Sequence, residues 1–279
     1  MANSSIKSSK NALPRLPQAK PNGRMLPLSF YGRDTVRVAK EVLGKVLWVR
    51  DRADRWVAGR IVETEAYHGD DPASHSARGE TERSAIMFGD PGRAYVYFIY
   101  GMYEMLNFVT ERKGYPGAVL IRALEPLVGL ERMGARRNPG RTLARRRAGT
   151  EVLSRATSHS LTAEVNWTNG PGKLCRALGI ALTDNGQVLN GARLQVRDDG
   201  FVADNILVSP RVGIQKGQET PWRFYLADHS FVSRAPQNKL GVLMKAGHPE
   251  PATAQQIHAG STARPRRARG AARGINGAR

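Results

Sequence analysis

Two carboxylates and a phenol stand at alternate positions of Arg60-Ile61-Val62-Glu63-Thr64-Glu65-Ala66-Tyr67. In an extended chain Glu63, Glu65 and Tyr67 share one face, and Val62, Thr64 and Ala66 share the other. Carboxylates at i and i+2 lie ~7 Å apart, the separation at which an acid and a base flank a glycosidic bond in inverting hydrolysis. A carboxylate base beside an aromatic ring could activate water. The same alternation also describes a polar strand face open to solvent, and spacing alone does not choose.

A second concentration is Tyr95-Val96-Tyr97-Phe98-Ile99-Tyr100-Gly101-Met102-Tyr103, four tyrosines in a chain that is only 7% aromatic. An aromatic core strand is one reading. However, Tyr100 abuts Gly101 where a hairpin would turn. Its tip would then carry Tyr100 and Met102 into solvent, a shape suited to insertion between bases, with tyrosine faces available for stacking.

Other polar residues near strands and turns are His75, Asn107, Arg122 and Lys173, each unremarkable alone. His68 and His75 with Asp70 and Asp71 match no metal-ligand spacing, so no metal is expected. Gly170-Pro171-Gly172-Lys173-Leu174 lacks the leading glycine and following hydroxyl of a phosphate loop. Cys175 reads as a buried small hydrophobe.

These residues need a frame. Asp34 is placed to cap a helix through Val36, Ala39, Val42 and Leu43. Val46–Val49 and Val57–Tyr67 read as hairpin strands around an Asp51–Arg55 turn, and Ala94–Thr110 as a second hairpin. Ala118–Ala123 reads as a short strand. A helix is expected from Leu127–Met133 into an arginine cluster, and another from Lys173. Leu194–Arg197, Ile206–Val208, Arg211–Ile214 and Arg223–Leu226 read as short strands. Hairpins mixed irregularly with helices point to an α+β class: one mixed domain with a curved, mainly antiparallel sheet, a protruding β-hairpin and surrounding helices.

The 279 residues carry a formal charge of +19, concentrated in three places. Residues 1–24 hold Lys7, Lys10, Arg15, Lys20 and Arg24 and no acid. Residues 251–279 hold Arg264, Arg266, Arg267, Arg269, Arg273 and Arg279 and no acid. Between them stand Arg132, Arg136, Arg137, Arg141, Arg145, Arg146 and Arg147. The remainder is close to neutral. The division expected is a basic disordered tail at 1–24, one domain at 25–240 and a basic disordered tail at 241–279. The charge implies a polyanionic partner. One cysteine excludes an internal disulfide. No apolar run approaches the ~20 residues of a membrane helix. Residues 1–24 lack a secretory signal's apolar core, so a soluble, intracellular chain is expected.

Six stretches together resemble the 3-methyladenine DNA glycosylases of the alkyladenine glycosylase family. They are Gly59–Tyr67, Ala73–Ser76, Met87-Phe88 with Pro91-Gly92, Tyr95–Tyr103, Ile121–Leu127 and Gly170–Cys175, joined by Arg211-Val212-Gly213 and Arg223-Phe224-Tyr225. They follow the family's order over about 25–240. The resemblance implies a monofunctional repair enzyme that flips an alkylated purine (3-methyladenine or 7-methylguanine type) from duplex DNA and hydrolyses its N-glycosidic bond. By that pattern Glu65 activates water and Arg122 orients it. Tyr67, His75 and Tyr97 line the base pocket, and Asn107 obstructs the 2-amino group of guanine. Tyr100, with Met102 and Tyr103, enters the minor groove. Thr81, Arg83 and Lys173 contact the backbone. Glu63 is left structural or solvent-facing. No cofactor is implied; the partner is double-stranded DNA, and the protein acts as a monomer away from membranes. It would act with the DNA, in a bacterial cytoplasm or nucleoid, or in a nucleus if the source is eukaryotic. Three features depart from the pattern, one being the arginine cluster at 132–147, denser than is usual. Glu82 and Ser84 stand where Pro and Asn are usual, and Gly172 replaces a small hydroxyl residue. Without catalysis, the same tyrosines and arginines would suit a nucleic-acid-binding module. An enzyme of nucleotides or tRNA is a third reading.

Overall fold

The computed structural model describes residues 19–69, 71–138 and 165–244. Most of both basic tails, Asp70, and Arg141, Arg145, Arg146 and Arg147 lie outside them. The described chain is one open, antiparallel sheet with helices against it, as the α+β expectation required. The strands are β1 (Arg24–Met25), β2 (Val46–Arg50), β3 (Trp56–His68), β4 (Ala94–Ile99), β5 (Tyr103–Val109), β6 (Gly117–Val128), β7 (Leu194–Asp198), β8 (Ile206–Ser209), β9 (Arg223–Leu226) and β10 (Val242–Leu243). Their main order is β1-β7-β2-β3-β6-β5-β4. The far half of β3 takes a second partner: Glu63, Thr64 and Glu65 pair with Tyr225, Phe224 and Arg223 of β9, which carries β8 and β10 outward. Val242 and Leu243, grouped with the tail by composition, are thus sheet residues.

Helix α1 (Thr35–Glu41) starts at Asp34, whose side chain accepts from the Arg37 amide at 2.8 Å. Val36, Val38 and Ala39 are buried in the main core with Leu47, Ile61, Phe108, Ile121, Leu124 and Phe224. Thr64 donates to the Ala39 carbonyl at 2.8 Å, so the Val62–Thr64–Ala66 side of β3 faces this core. The carboxylate side is the other face. It too is buried, so the solvated-face reading of Glu63 and Glu65 is overturned. Residues 71–93, 210–222 and Ser233 cover it, with a separate small apolar cluster of Met87, Tyr95, Val109 and Ala118.

Three local expectations are corrected. Ala118–Ala123 extends into the 12-residue β6 because it pairs along nearly all of β3. Helix α2 (Leu130–Arg137) begins three residues later than expected. Leu127 and Val128 still belong to β6, and the left-handed Gly129 (φ 78°) turns the chain. Arg211–Ile214 forms no strand; Pro210 cannot donate to a ladder, and Gly213 (φ 76°) bends the segment. Helix α3 (Pro171–Leu178) takes Pro171 at its first turn, where a missing amide costs nothing, and buries Cys175.

The arginine cluster also differs from expectation. Arg132 and Arg136 both donate to Asp51 in the β2–β3 turn, and Arg136 bonds the Ala177 carbonyl at 2.9 Å. Two of the seven cations therefore tie α2 to the frame.

Candidate active site

The site is assembled by register. Glu65 pairs with Leu120, Leu120 with Asn107, and Asn107 with Tyr95, a row across β3, β6, β5 and β4. Directly paired residues project from the same face. Tyr67 and Tyr97, each two residues along, join that face. One sheet face thus carries Glu65, Tyr67, Asn107, Tyr95 and Tyr97.

Arg122 reaches the face through an irregularity. Ile61 pairs with Leu124, Glu63 with Ala123 and Thr64 with Ile121. Val62 and Arg122 fall between the paired positions, a local bulge that re-aims side chains as bulges near active sites do. Arg122 then spans both carboxylates: Nε donates to Glu63 Oε1 at 2.9 Å and Nη1 to Glu65 Oε2 at 3.2 Å. Tyr67 donates its hydroxyl to Glu65 Oε2 at 2.8 Å, and the Val212 amide donates to Glu65 Oε1 at 2.7 Å.

Electrostatics keep these groups in fixed states. Burial alone would push the Glu63 carboxyl up. The Arg122 and Arg223 charges and two bonds from Ser233 outweigh it and hold Glu63 below its usual range. Burial, then the adjacent Glu65, raises Tyr67 well above the ordinary phenol range, so it remains a donor. Burial opposes the Arg122 charge, but Glu65 and Glu63 overcome it and the guanidinium stays protonated.

Behind Tyr67 lies a feature the sequence did not announce. Arg211 is fully buried, with its guanidinium carbon 4.6 Å from the Tyr67 ring centroid and 5.3 Å from that of Trp222. It forms a two-pronged pair with Asp71 and also bonds the Ala66 carbonyl at 2.9 Å. This pair fixes the loop that presents the Val212 amide to Glu65.

His75 lies at the opposite wall. Its ring meets Tyr97 edge-on, centroids 4.6 Å apart, and its Nδ1 is 2.9 Å from the Tyr95 hydroxyl. Burial of its inner face, then the Arg83 charge, lowers its pKa below 6.5. Asn107 spends its amide on the Tyr95 carbonyl at 3.2 Å. Tyr95 thus holds both His75 and Asn107. Its parity with Tyr97 was visible in the sequence, but not this role.

At the edge, Arg83 stacks 4.8 Å from the Tyr97 centroid and bonds the Phe98 carbonyl. Exposed Thr81 closes a turn with Ser84, their hydroxyls 2.9 Å apart, so Ser84 caps the loop where the family pattern differs. The β4–β5 hairpin turns at Tyr100 and Gly101, both at positive φ (53° and 66°). Tyr100 is 77% exposed, Met102 62% and Tyr103 40%. Lys173 stands on α3, bonded to Asn169 at 2.8 Å. Beside it, Tyr103 packs on Gly172 so closely that a Cβ there would fall 2.7 Å from the ring. The departure from a hydroxyl residue therefore makes room for Tyr103.

A sequence model of the methylpurine-DNA glycosylases matches residues 29–230. The chain belongs to this family. It is a DNA glycosylase of alkylation repair. Relatives cover almost their whole length. A protein of Methanoculleus marisnigri is 45% identical over 213 residues, which are 75% of this chain and 98% of the relative. One of Carboxydothermus hydrogenoformans is 41% identical over 212 residues, 75% of this chain and 99% of the relative. Both are provisionally named 3-methyladenine DNA glycosylases. Among the described residues no helix is long and apolar enough to cross a membrane.

Proposed function

We propose that this glycosylase removes alkylated purines of the 3-methyladenine and 7-methylguanine type from duplex DNA, with Glu65 as the base that activates water. The observation that carries the reading is the bonding of Glu65. A carboxylate has about four acceptor positions. Described residues take three, two on Oε2 and one on Oε1. One acceptor position on Oε1 is left, and on this reading the attacking water takes it.

In the reaction, the water oxygen forms its bond to the sugar C1′ as its proton passes to Glu65. The C1′–N bond breaks, and its electron pair leaves with the purine, cancelling the positive charge that alkylation placed there. The carboxylate and the neighbouring dipoles face the developing oxocarbenium charge. Tyr67, His75 and Tyr97 present ring faces and edges to a flipped base, and ring faces favour a cationic purine. Asn107 restricts the space next to them, which supports exclusion of guanine by clash. Tyr100 fills the gap left in the stack, and Arg83, Thr81 and Lys173 hold the backbone. The domain at 25–240, extended by the β10 residues Val242 and Leu243, suffices for the chemistry as a monomer. The flanking basic tails add salt-dependent affinity.

The test is single-turnover excision from duplexes bearing 3-methyladenine, 7-methylguanine or hypoxanthine, with normal RNA and free nucleosides alongside. Glu65→Gln is expected to retain DNA binding and lose on the order of 10²–10⁴-fold in rate. Wild-type excision by that variant would remove Glu65 from the role of base. Turnover of nucleosides or RNA instead of the duplexes would point to the third reading.

A further inference from the structure

We infer that Glu63 is a positioning residue: it restrains Arg122 to a single bond with Glu65 and so reserves the last acceptor position of Glu65 for the attacking water. The inference rests on Glu65 being the base.

Guanidinium and carboxylate favour a two-pronged pair, with charge-assisted bonds of about 2.7–2.9 Å. Arg122 does not adopt it with Glu65. Only Nη1 reaches Glu65, at 3.2 Å, while Nε is drawn to Glu63 at 2.9 Å. A two-pronged Arg122 would cover the remaining position on Glu65 and displace the nucleophile. Because the guanidinium is planar, fixing Nε fixes the direction of the whole fork.

Glu63 can exert this restraint because it is itself immobilised. It has no solvent exposure. Oε1 also accepts from Arg223 Nε and from the Ser233 hydroxyl, each at 2.7 Å, and Oε2 accepts from the Ser233 amide at 2.7 Å. Arg223 is in turn held by Ser209 at 3.1 Å and Asn238 at 2.8 Å. The side chains of Arg223, Ser233 and Asn238 thus bear on the reacting carboxylate through Glu63 and Arg122, in addition to the strand pairing of Arg223 with Glu65. A carboxylate needed only to balance buried charge would not have to divide Arg122 from Glu65 in this way.

The experiment measures single-turnover release of 3-methyladenine from duplex DNA treated with dimethyl sulfate, with DNA affinity measured in parallel. It compares the wild type, Glu63→Gln, Glu65→Gln, Arg122→Lys and the double variant Glu63→Gln/Arg122→Lys. The expected result is a rate loss of about 10- to 100-fold for Glu63→Gln, the scale of a misplaced catalytic group, with affinity unchanged. In the Arg122→Lys background, where no planar fork remains to be held, Glu63→Gln should cost nothing further. A full rate in Glu63→Gln, or an equal loss in both backgrounds, overturns the inference. If Glu63→Gln does not fold, Ser233→Ala weakens the anchor while keeping the carboxylate. It should then lose rate severalfold in the wild-type background only, and no loss or an additive loss overturns the proposal. Undiminished excision by Glu65→Gln would instead bring down the assignment of the base.

Discussion

The buried frame behind Glu65 and the tip of the β4–β5 hairpin solve opposite problems. In the frame, charges are brought out of water and each is answered by a partner distant in sequence. Arg211 meets Asp71 from 140 positions away, and Arg223 meets Glu63 from 160. At the tip, large apolar side chains stay in water with little to answer them, and Tyr100 adopts a positive φ that bulky residues avoid. The frame is stable in itself and fixes directions. On the proposed function, the tip is completed by the duplex that takes Tyr100 and Met102. Chemistry and recognition are therefore separable, and substitutions in the two regions should differ in kind.

The largest effect is expected in the frame. Asp71→Asn keeps the shape of the side chain but leaves Arg211 buried without its counter-charge. Breaking one side of a buried pair costs about 3–5 kcal/mol. Denaturant unfolding should report that loss, and excision should fall with it, because the loop bearing Val212 loosens. A loss below about 1 kcal/mol would mean the pair contributes no more than an exposed one, and the contrast with the tip would fail.

Tyr100→Gly is expected to act in the opposite sense on stability. Glycine accepts the positive φ, so relief of strain should stabilise the fold by up to about 1 kcal/mol. Excision and binding to a lesion duplex should nonetheless weaken by about 1–3 kcal/mol, the scale of one lost aromatic–base contact. A variant that lost stability as well would show the tip to be part of the frame.

The same contrast explains what the sequence disclosed. Local rules sufficed for the hairpins, for the Asp34 cap and for the exposed Tyr100–Gly101 tip, because turn chemistry and strand period are written in neighbouring residues. They also put Glu63, Glu65 and Tyr67 on one face. They could not say that this face is inside. Acids on a strand imply solvent unless cations are known to meet them, and here those cations stand at 122 and 223. Arg132 and Arg136 misled in the reverse direction, since a run of arginines implies a surface while Asp51 draws these two inward. Arg211-Val212-Gly213 was legible as a motif. Its apolar and β-branched residues suggested a strand, whereas it forms a loop that contributes the buried Arg211–Asp71 pair and one backbone amide on Glu65.

His75 stands at the border of the two regions, and the smallest effect is expected there. Its inner face packs on Tyr97 while its outer edge is exposed beside Arg83. Burial and then Arg83 lower its pKa below 6.5, so the folded protein keeps it neutral at neutral pH and protonates it only as pH falls past that lower value. The unfolded chain takes the proton first, so stability also declines as pH drops below 6.5. A neutral ring tolerates a cationic purine, whereas a protonated one repels it. Two unit charges ~4 Å apart in a water-like medium differ by about 1 kcal/mol, roughly fivefold in binding. Neutral hypoxanthine escapes this term. The ratio of 7-methylguanine to hypoxanthine excision should therefore hold level from about pH 8 to about pH 6.5 and fall up to roughly fivefold by about pH 5. Taking the ratio cancels any titration common to both lesions. His75→Asn should flatten it. A ratio that falls equally in that variant would place the titrating group elsewhere and leave His75 with the frame, as a wall of the pocket and nothing more.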